Sequence, residues 1–584
     1  MTVSIILIFL LLSINYFFYK KKSLSLAFIY STFFLAISTI VITETSSFFK
    51  AYNYTSSVIY WSVLAVTITY LNLKKQYLKI TPYLNWYKEN KTTSLFFGGA
   101  TILLLIQGII YPPNNWDSMT YHMARVAHWV INESIEPYPT HVYRQIYQPP
   151  LAEWIIAQVC ILNKADYFSN AIQLLFLLTT LGVVNQIMLQ FNTSKKTRIW
   201  ASIIAFTTPS VFLQATSTQN DIVVAFFLLS CILFFIQYIK ESTIKNALLI
   251  GLAIGLAIIT KGTAFVYLIP IILFCGAYLI YFIFKKEKSI ISISFQMIVV
   301  VIVTLTIGFN HYHRNFKLSG DIFGASDDHY FNKNITLKSS GVGILKNIGN
   351  HFSTPLTSNI TNQVVEKVHL MTQIPINDEN YNYKGIHFKL NQWNHNEDEV
   401  SNIFQVVLIL GVCLFIVFNW KNRNKLLLLS SIFCLFIFVL FSFILKWQPW
   451  HMRLQVPLFI LFAIPISIVL EKIKLAKLTT SILTISIVYC FILALVNPNR
   501  PLIKNTKQAK LTTRFEKYFV AMPPYLKEYK LLRYKLKSKI NQHWDVHGDT
   551  WEYPIYYDCF SVDRTAFKAI NIQNQTKKLI PPFK

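Results

Sequence analysis

The chain has 584 residues, 53% of them hydrophobic and only 14% charged, and its 54 basic against 27 acidic residues give a formal charge of +27. Many apolar runs near the ~20 residues that cross a bilayer make it an all-α polytopic membrane protein. The basic excess points to anionic lipid headgroups or a phosphate-bearing substrate as partners, and a chain so deeply embedded argues against nucleic acid.

Six of the seven cysteines (Cys160, Cys231, Cys275, Cys413, Cys434 and Cys490) lie in apolar segments, and Cys559 stands alone near the C-terminus. This pattern gives neither a disulfide framework nor a cysteine metal motif. The first apolar run, Val3 to Phe18, has no basic region before it and ends at Lys20-Lys21-Lys22, so it reads as a retained span rather than a cleaved signal.

Orienting the spans by short-loop lysine and arginine gives about fourteen, with both termini outside. Spans of about 3–19, 25–45, 55–73 and 94–111 bring the chain outside, after a basic inner loop containing Lys74, Lys75, Lys79, Lys88 and Lys91. Further spans of about 168–190, 199–215, 222–239, 247–260, 264–284 and 290–309 follow, with Lys195-Lys196 and Lys285-Lys286-Glu287-Lys288 inside. The last four, about 403–420, 425–445, 453–470 and 478–496, bracket an inner loop from Lys421 to Lys425. Two long external loops, 112–167 and 310–402, divide the core, and a loop of the latter length is expected to be functional or to fold over something.

Inside the first external loop, Asp117 precedes a stretch with Met119, Met123, Val126 and Val130 on one helical stripe and Tyr121, Arg125 and His128 on another. This describes a helix lying along the membrane surface, with Asp117 as either an N-cap or a functional acid. Downstream, Gln148-Pro149-Pro150-Leu151-Ala152-Glu153-Trp154 fixes a turn and starts another helix. Asp221 opens a span on the same outer face.

The ionisable residues that interrupt apolar sequence therefore converge on one side: Asp117, His122, Arg125, Arg144, Glu153, Asp221, Lys261, Arg314, His451 and Arg453. Charges at membrane depth line a cavity or pair with one another. Carboxylates among several cations suit sugar transfer from a polyprenyl phosphate. One carboxylate takes the proton of an attacking acceptor hydroxyl while cations stabilise the departing phosphate. A single inverting displacement needs one base, for which Asp117 is the candidate, with Asp221 orienting it or holding the acceptor.

Asp117 at the start of the first large external loop, followed by the Gln148–Trp154 element, resembles GT-C glycosyltransferases of the family 39 type. That family includes protein O-mannosyltransferases and lipid A aminoarabinose transferases. Asn220-Asp221, the run from Gly251 to Lys261, and Trp450-His451-Met452-Arg453 leading to Pro457 extend the resemblance over about residues 94–470. The resemblance implies a GT-C-like transmembrane bundle with external loops, a polyprenyl-phosphate-linked sugar donor, and a catalytic acid at Asp117. The family's phosphate-contacting lysine before the prolines is Gln148 here, so Arg144, Lys261 or Arg453 would supply that charge. Three N-terminal spans in residues 1–93 exceed the usual layout.

The expected organisation is thus N-terminal helices 1–93, a core 94–496, and a small C-terminal extramembrane domain 497–584 containing Trp544-Asp545-Val546-His547-Gly548-Asp549 and Tyr553-Pro554-Ile555-Tyr556-Tyr557. The protein is expected in a bacterial-type cytoplasmic membrane with its site facing outside. The acceptor (protein, lipid or polysaccharide) and the use of a divalent metal are left open, and no metal ligands are assigned.

Simpler roles compete at several positions. Lys261 can snorkel from a helix end. His451 and Arg453 can accompany interfacial Trp447 and Trp450. Gly251 and Gly255 suit helix packing, His311 and His313 read as solvated, and Glu153 suits a helix dipole. The functional alternatives are a transporter or flippase of a lipid-linked sugar, which predicts inverted repeats that the sequence lacks, and a non-catalytic envelope-assembly protein.

Overall fold

The computed structural model describes residues 3–79, 81–285, 289–324, 330–390, 394–420, 424–538, 551–556, 560 and 571–580. Lys286 to Lys288, Lys421, the Trp544 to Asp549 motif, Tyr557 and Cys559 lie outside the described residues. In lipid every backbone N–H and C=O must be satisfied within its own segment, which leaves an isolated chain only the helix. Accordingly the described residues contain helices and two isolated β-bridges, Phe331 with Leu445 and Asn382 with Trp447, but no strand.

Ten described helices are long and apolar enough to cross a bilayer, and Leu151–Asn163, Ile244–Ile258 and Ile403–Phe418 are apolar but shorter. Burial sorts them into layers. The most apolar windows of Asp221–Lys240 and Val456–Ile473 are 78% and 83% buried by protein, against 22% for Tyr54–Lys74 and 17% for Ile290–Ser319. The first two therefore form the centre, and the last two face lipid along most of their length.

Gly251 and Gly255 serve the packing between the Ile244–Ile258 and Ile290–Ser319 helices. A Cβ on Gly251 would lie 2.8 Å from the Val300 carbonyl oxygen, and one on Gly255 would lie 2.8 Å from Ile307 Cβ. Only glycine allows that approach.

Two expectations need correction. The span of about 199–215 is two pieces, Lys195–Phe206 and Pro209–Gln214. Proline lacks an N–H and holds the residue before it out of the helical region, so Thr208 is extended and a new helix starts at Pro209. The Ile290–Ser319 helix does not end near Asn310 but runs on to Gly320, whose φ of +80° closes it. The long loop after it, expected to be functional or to fold over something, carries helices of its own. Leu337–Asn350 and Ser358–Thr372 are helices, the first capped by Thr336 and Ser339.

This loop folds over the 445–455 connection. Trp447 Nε1 donates to Asn350 Oδ1 at 3.1 Å, and His351 Nε2 lies 2.9 Å from Gln455 Oε1. The segment after the last long helix turns back onto the first external loop. Asp166 accepts bonds from Arg514 Nη2 at 2.7 Å, from Tyr553 OH at 3.0 Å and from Tyr518 OH. Glu552 pairs with His128 at 2.8 Å.

Candidate active site

Asp117 begins a single wide turn, the π-helix Ser118–His122, which continues as the α-helix Met123–Asn132. Such turns insert an extra residue into the helical repeat and recur at functional sites. The capping role is filled by Asn115, whose Oδ1 accepts the Ser118 N–H at 2.8 Å, while Asp117 is itself helical and makes no cap bond. Nor does the helix float on a surface. The apolar Met119, Met123 and Val126 and the polar Tyr121 and Arg125 are all buried, because the polar stripe packs on the proline turn. Arg125 donates to the Gln148 carbonyl at 2.8 Å and the Pro149 carbonyl at 3.1 Å.

The Asp117 carboxylate is gripped by two guanidinium groups. Arg453 Nη2 pairs with Oδ2, and Arg144 Nη1 lies 3.8 Å from Oδ1. Arg453 reaches in the other direction to Asp398 Oδ1 at 2.9 Å. Arg144 also donates to Thr120 Oγ1 at 2.8 Å and lies 4.8 Å from the centre of the Tyr121 ring. Burial pushes the Asp117 carboxyl up, but Arg453, Arg144 and His122 outweigh it and hold the group well below the usual carboxylate range.

Asp221, at the first turn of the central helix, receives Lys261 Nζ at 2.5 Å on Oδ1, while its Oδ2 is buried with no hydrogen-bond partner among the described residues. Lys261 is thus an ion-pair partner rather than a snorkelling end residue. The two acids meet in one region. Ser118 Oγ and Thr218 Oγ1 lie 2.6 Å apart, and both carboxylates act electrostatically on Arg453 and on Lys261.

A second cluster lies behind the first. Glu153 pairs with His122 and, at 2.5 Å, with Arg125 Nη2, and all three side chains are at most 1% exposed. Burial pushes the His122 imidazole below its ordinary value despite Glu153. With no open face, this trio ties the Asp117 helix to the proline turn.

Not every expected residue joins this cluster. Arg314 forms a two-pronged pair with Glu44 at 2.8 and 2.9 Å and lies 3.9 Å from Glu136. His451 is buried, with Nδ1 2.7 Å from Asn347 Oδ1 and its ring against Phe441, so it braces the turn that carries Arg453. Gln148 contributes its carbonyl to Arg125, and its side chain lies near Gly262. Of the two histidines read as solvated, His313 is exposed, whereas His311 is buried beside Asn315.

Sequence reasoning missed Glu397 and Asp398. Glu397 pairs with Arg500 Nη2 at 2.6 Å and takes bonds from Asn115 and Asn499, while Asp398 takes Arg453 and, at 2.5 Å, Gln219 Nε2. The signal was the acidic run Glu397-Asp398-Glu399 just before the span that starts at Ile403. Three adjacent acids in a cationic chain need partners. Among the described residues no group of three His, Cys, Asp or Glu side chains is arranged to hold a metal ion.

The elements that carry Gln148, Glu153, Asp221 and Lys261 also carry a likeness to a known family. Residues 147–307 match the family described as dolichyl-phosphate-mannose-protein mannosyltransferase. This supports the GT-C resemblance and a membrane glycosyltransferase, while Asp117, Arg144 and Arg453 lie outside the matched stretch. Among solved structures, ArnT from Cupriavidus metallidurans bound to undecaprenyl phosphate aligns over 82% of this chain and 76% of its own, at 11% identity and a TM-score of 0.45. The same enzyme in its apo state aligns over the same shares at 13% identity and a TM-score of 0.40. No curated protein sequence matches the chain.

Proposed function

We propose that the protein transfers a sugar from a polyprenyl-phosphate donor to an acceptor hydroxyl, with inversion, at the non-cytoplasmic face of the membrane. The observation that carries this reading is the juxtaposition of Asp117 with Arg144 and Arg453 in a buried site where Lys261 and Asp221 also converge. The match of residues 147–307 to the family described as dolichyl-phosphate-mannose-protein mannosyltransferase supports it.

In this mechanism the acceptor oxygen attacks the anomeric carbon, its proton passes to Asp117, and the bond from that carbon to the phosphate oxygen breaks. The electron pair leaves with the polyprenyl phosphate, whose growing charge falls to Arg144, Arg453 and Lys261. The buried, unpartnered Oδ2 of Asp221 is suited to accept a hydrogen bond from the acceptor. His122, Arg125 and Glu153 hold the base-bearing helix in place, and Arg314 and His451 act at a distance as braces.

The test is turnover of radiolabelled polyprenyl-phosphate sugars by the purified protein. Replacing Asp117 by Asn should lower kcat by about 10²–10⁴-fold while donor binding persists. Replacing Glu153 by Gln leaves Arg125 buried without its charge partner and should lower stability and activity together. Turnover by Asp117→Asn at the wild-type rate would remove Asp117 from the chemistry.

A further inference from the structure

The charges gathered around Arg453 leave no cation over. Asp117, Asp221, Glu397 and Asp398 face Arg144, Arg453, Lys261 and Arg500, four acids against four cations, and Glu399 is a fifth acid within electrostatic reach of Arg453. A phosphate entering this site adds negative charge to a buried region with no positive charge to spare, and it can be held only by drawing a cation away from a carboxylate.

The four acids are not equally able to lose a cation. Glu397 has Arg500 to itself together with two amide donors, Asp221 has Lys261, and Asp117 has both Arg144 and Arg453. Asp398 shares its cation, since Arg453 divides its two Nη atoms between Asp398 and Asp117. If Arg453 turns to a phosphate, Asp398 keeps only Gln219, with Glu397 as its neighbour in the chain. A buried carboxylate stripped of its cation takes up a proton rather than remain charged.

We propose that Asp398 is a positioning residue that gives up Arg453 to the incoming phosphate and binds a proton as it does so. The inference rests on the reading of the site as one for a polyprenyl phosphate ester.

Its surroundings suit both states. Ionised, Asp398 accepts from Gln219 Nε2, while Gln219 Oε1 is buried without a hydrogen-bond partner among the described residues. Rotation of that amide by half a turn offers Oε1 to a protonated carboxyl, so the same side chain serves as donor before the proton arrives and as acceptor after. Burial already pushes Asp398 up to about 6 against Arg453, with Glu397 and Asp117 adding to the rise. Glu399, which is bonded to Asn394, and Arg500, on the far side of Glu397, complete the nearby charges.

The test uses the full-length protein in detergent micelles and a farnesyl methyl phosphate diester. The diester carries one fixed negative charge and does not titrate near neutrality. Binding is followed calorimetrically at pH 7 in buffers of different ionisation enthalpy, which reads the protons taken up. Wild type should take up a fraction of a proton, falling towards zero at high pH, and Asp398→Asn should bind the diester with no uptake.

Uptake in Asp398→Asn equal to that of wild type, or binding by wild type with none, overturns the inference and leaves the reading of the site standing. Failure of wild type to bind the diester at all overturns both. Gln219→Ala removes both the donor to the ionised carboxylate and the acceptor for the protonated one, and tests the point without touching Asp398. Its uptake should be smaller than in wild type, and an uptake equal to that of wild type counts against the proposal.

Discussion

The pair formed by Arg500 and Glu397 fastens the segment after the last long helix to the loop that carries Asp398. Both side chains have no exposed surface, their charges lie 2.6 Å apart, and Arg500 also donates to Asn114 Oδ1 at 3.0 Å and Thr216 Oγ1 at 3.1 Å. Replacing Arg500 by Met keeps the bulk but leaves Glu397 as a buried charge with only amide donors. Breaking such a pair from one side costs about 3–5 kcal/mol, whereas replacing both partners by neutral groups is often nearly free. Arg500→Met should therefore be strongly destabilised, and Arg500→Met combined with Glu397→Gln should recover most of the loss, a coupling of about 2–3 kcal/mol. Reversible unfolding in mixed detergent micelles, followed by tryptophan fluorescence, measures all four corners of the cycle. A single variant that loses under about 1 kcal/mol, or a double variant that loses the sum of the two singles, would refute the reasoning.

Helix packing and pH give further tests. Gly251→Ala places a Cβ 2.8 Å from a backbone oxygen and should cost about 1–3 kcal/mol. Gly276→Ala, with nothing within 4 Å, should be close to neutral in the same unfolding assay. Asp398 is raised to about 6, above its unfolded value of about 3.9, so the stability it confers is full below the lower value and is lost as pH rises through the higher one. Asp117 is shifted the other way, so its contribution is present above about pH 3.9 and is lost only in stronger acid. Asp398→Asn should therefore compare better with wild type at pH 8 than at pH 4, and a difference independent of pH would contradict the assignment.

The transmembrane pattern was readable because lipid imposes one rule, a helix of sufficient apolar length, and that rule is local in sequence. Where a local rule competes with another, the reading slipped. Pro209 divides an apolar run that hydropathy alone counts as continuous. The Ile290–Ser319 helix outlasts its apolar part because protein contacts, such as Asn315 Nδ2 to the Tyr147 carbonyl at 3.1 Å, sustain it beyond the lipid.

The acids and bases of the site were visible as interruptions of apolar sequence, but their pairing was not, since it depends on contacts between segments hundreds of residues apart. Asp117 with Arg453 and Glu397 with Arg500 are such contacts. The amphipathic pattern after Asp117 suggested a helix at the interface because polarity was taken to mean water. Arg125 instead spends its donors on Glu153 and two backbone carbonyls, an environment that periodicity does not distinguish from solvent.

The clamp on Asp117 has a kinetic consequence. A carboxylate held by Arg453 and Arg144 is a weak base, because each guanidinium stabilises its charged form. General-base catalysis works best when the base's affinity for the proton approaches that of the medium, so the resting arrangement is poorly suited to the reaction. The same guanidinium groups are the ones a donor phosphate would draw on, and Arg144, with 22% of its side chain exposed against 12% for Arg453, is the more accessible. In the proposed mechanism donor binding would do two things at once: it would neutralise the phosphate and loosen, without removing, the cationic hold on the base. An acceptor arriving first would meet a carboxylate unable to take its proton, which makes donor-before-acceptor the productive order. Replacing Arg144 by Gln separates the two effects, since it loosens the hold on phosphate while leaving Asp117 less restrained. The donor KM should rise by about tenfold or more, as for the loss of one charged hydrogen bond of about 1.5–3 kcal/mol, with a much smaller change in kcat. A fall in kcat at unchanged KM would mean that Arg144 acts only in the transition state and that the base is freed by some other group.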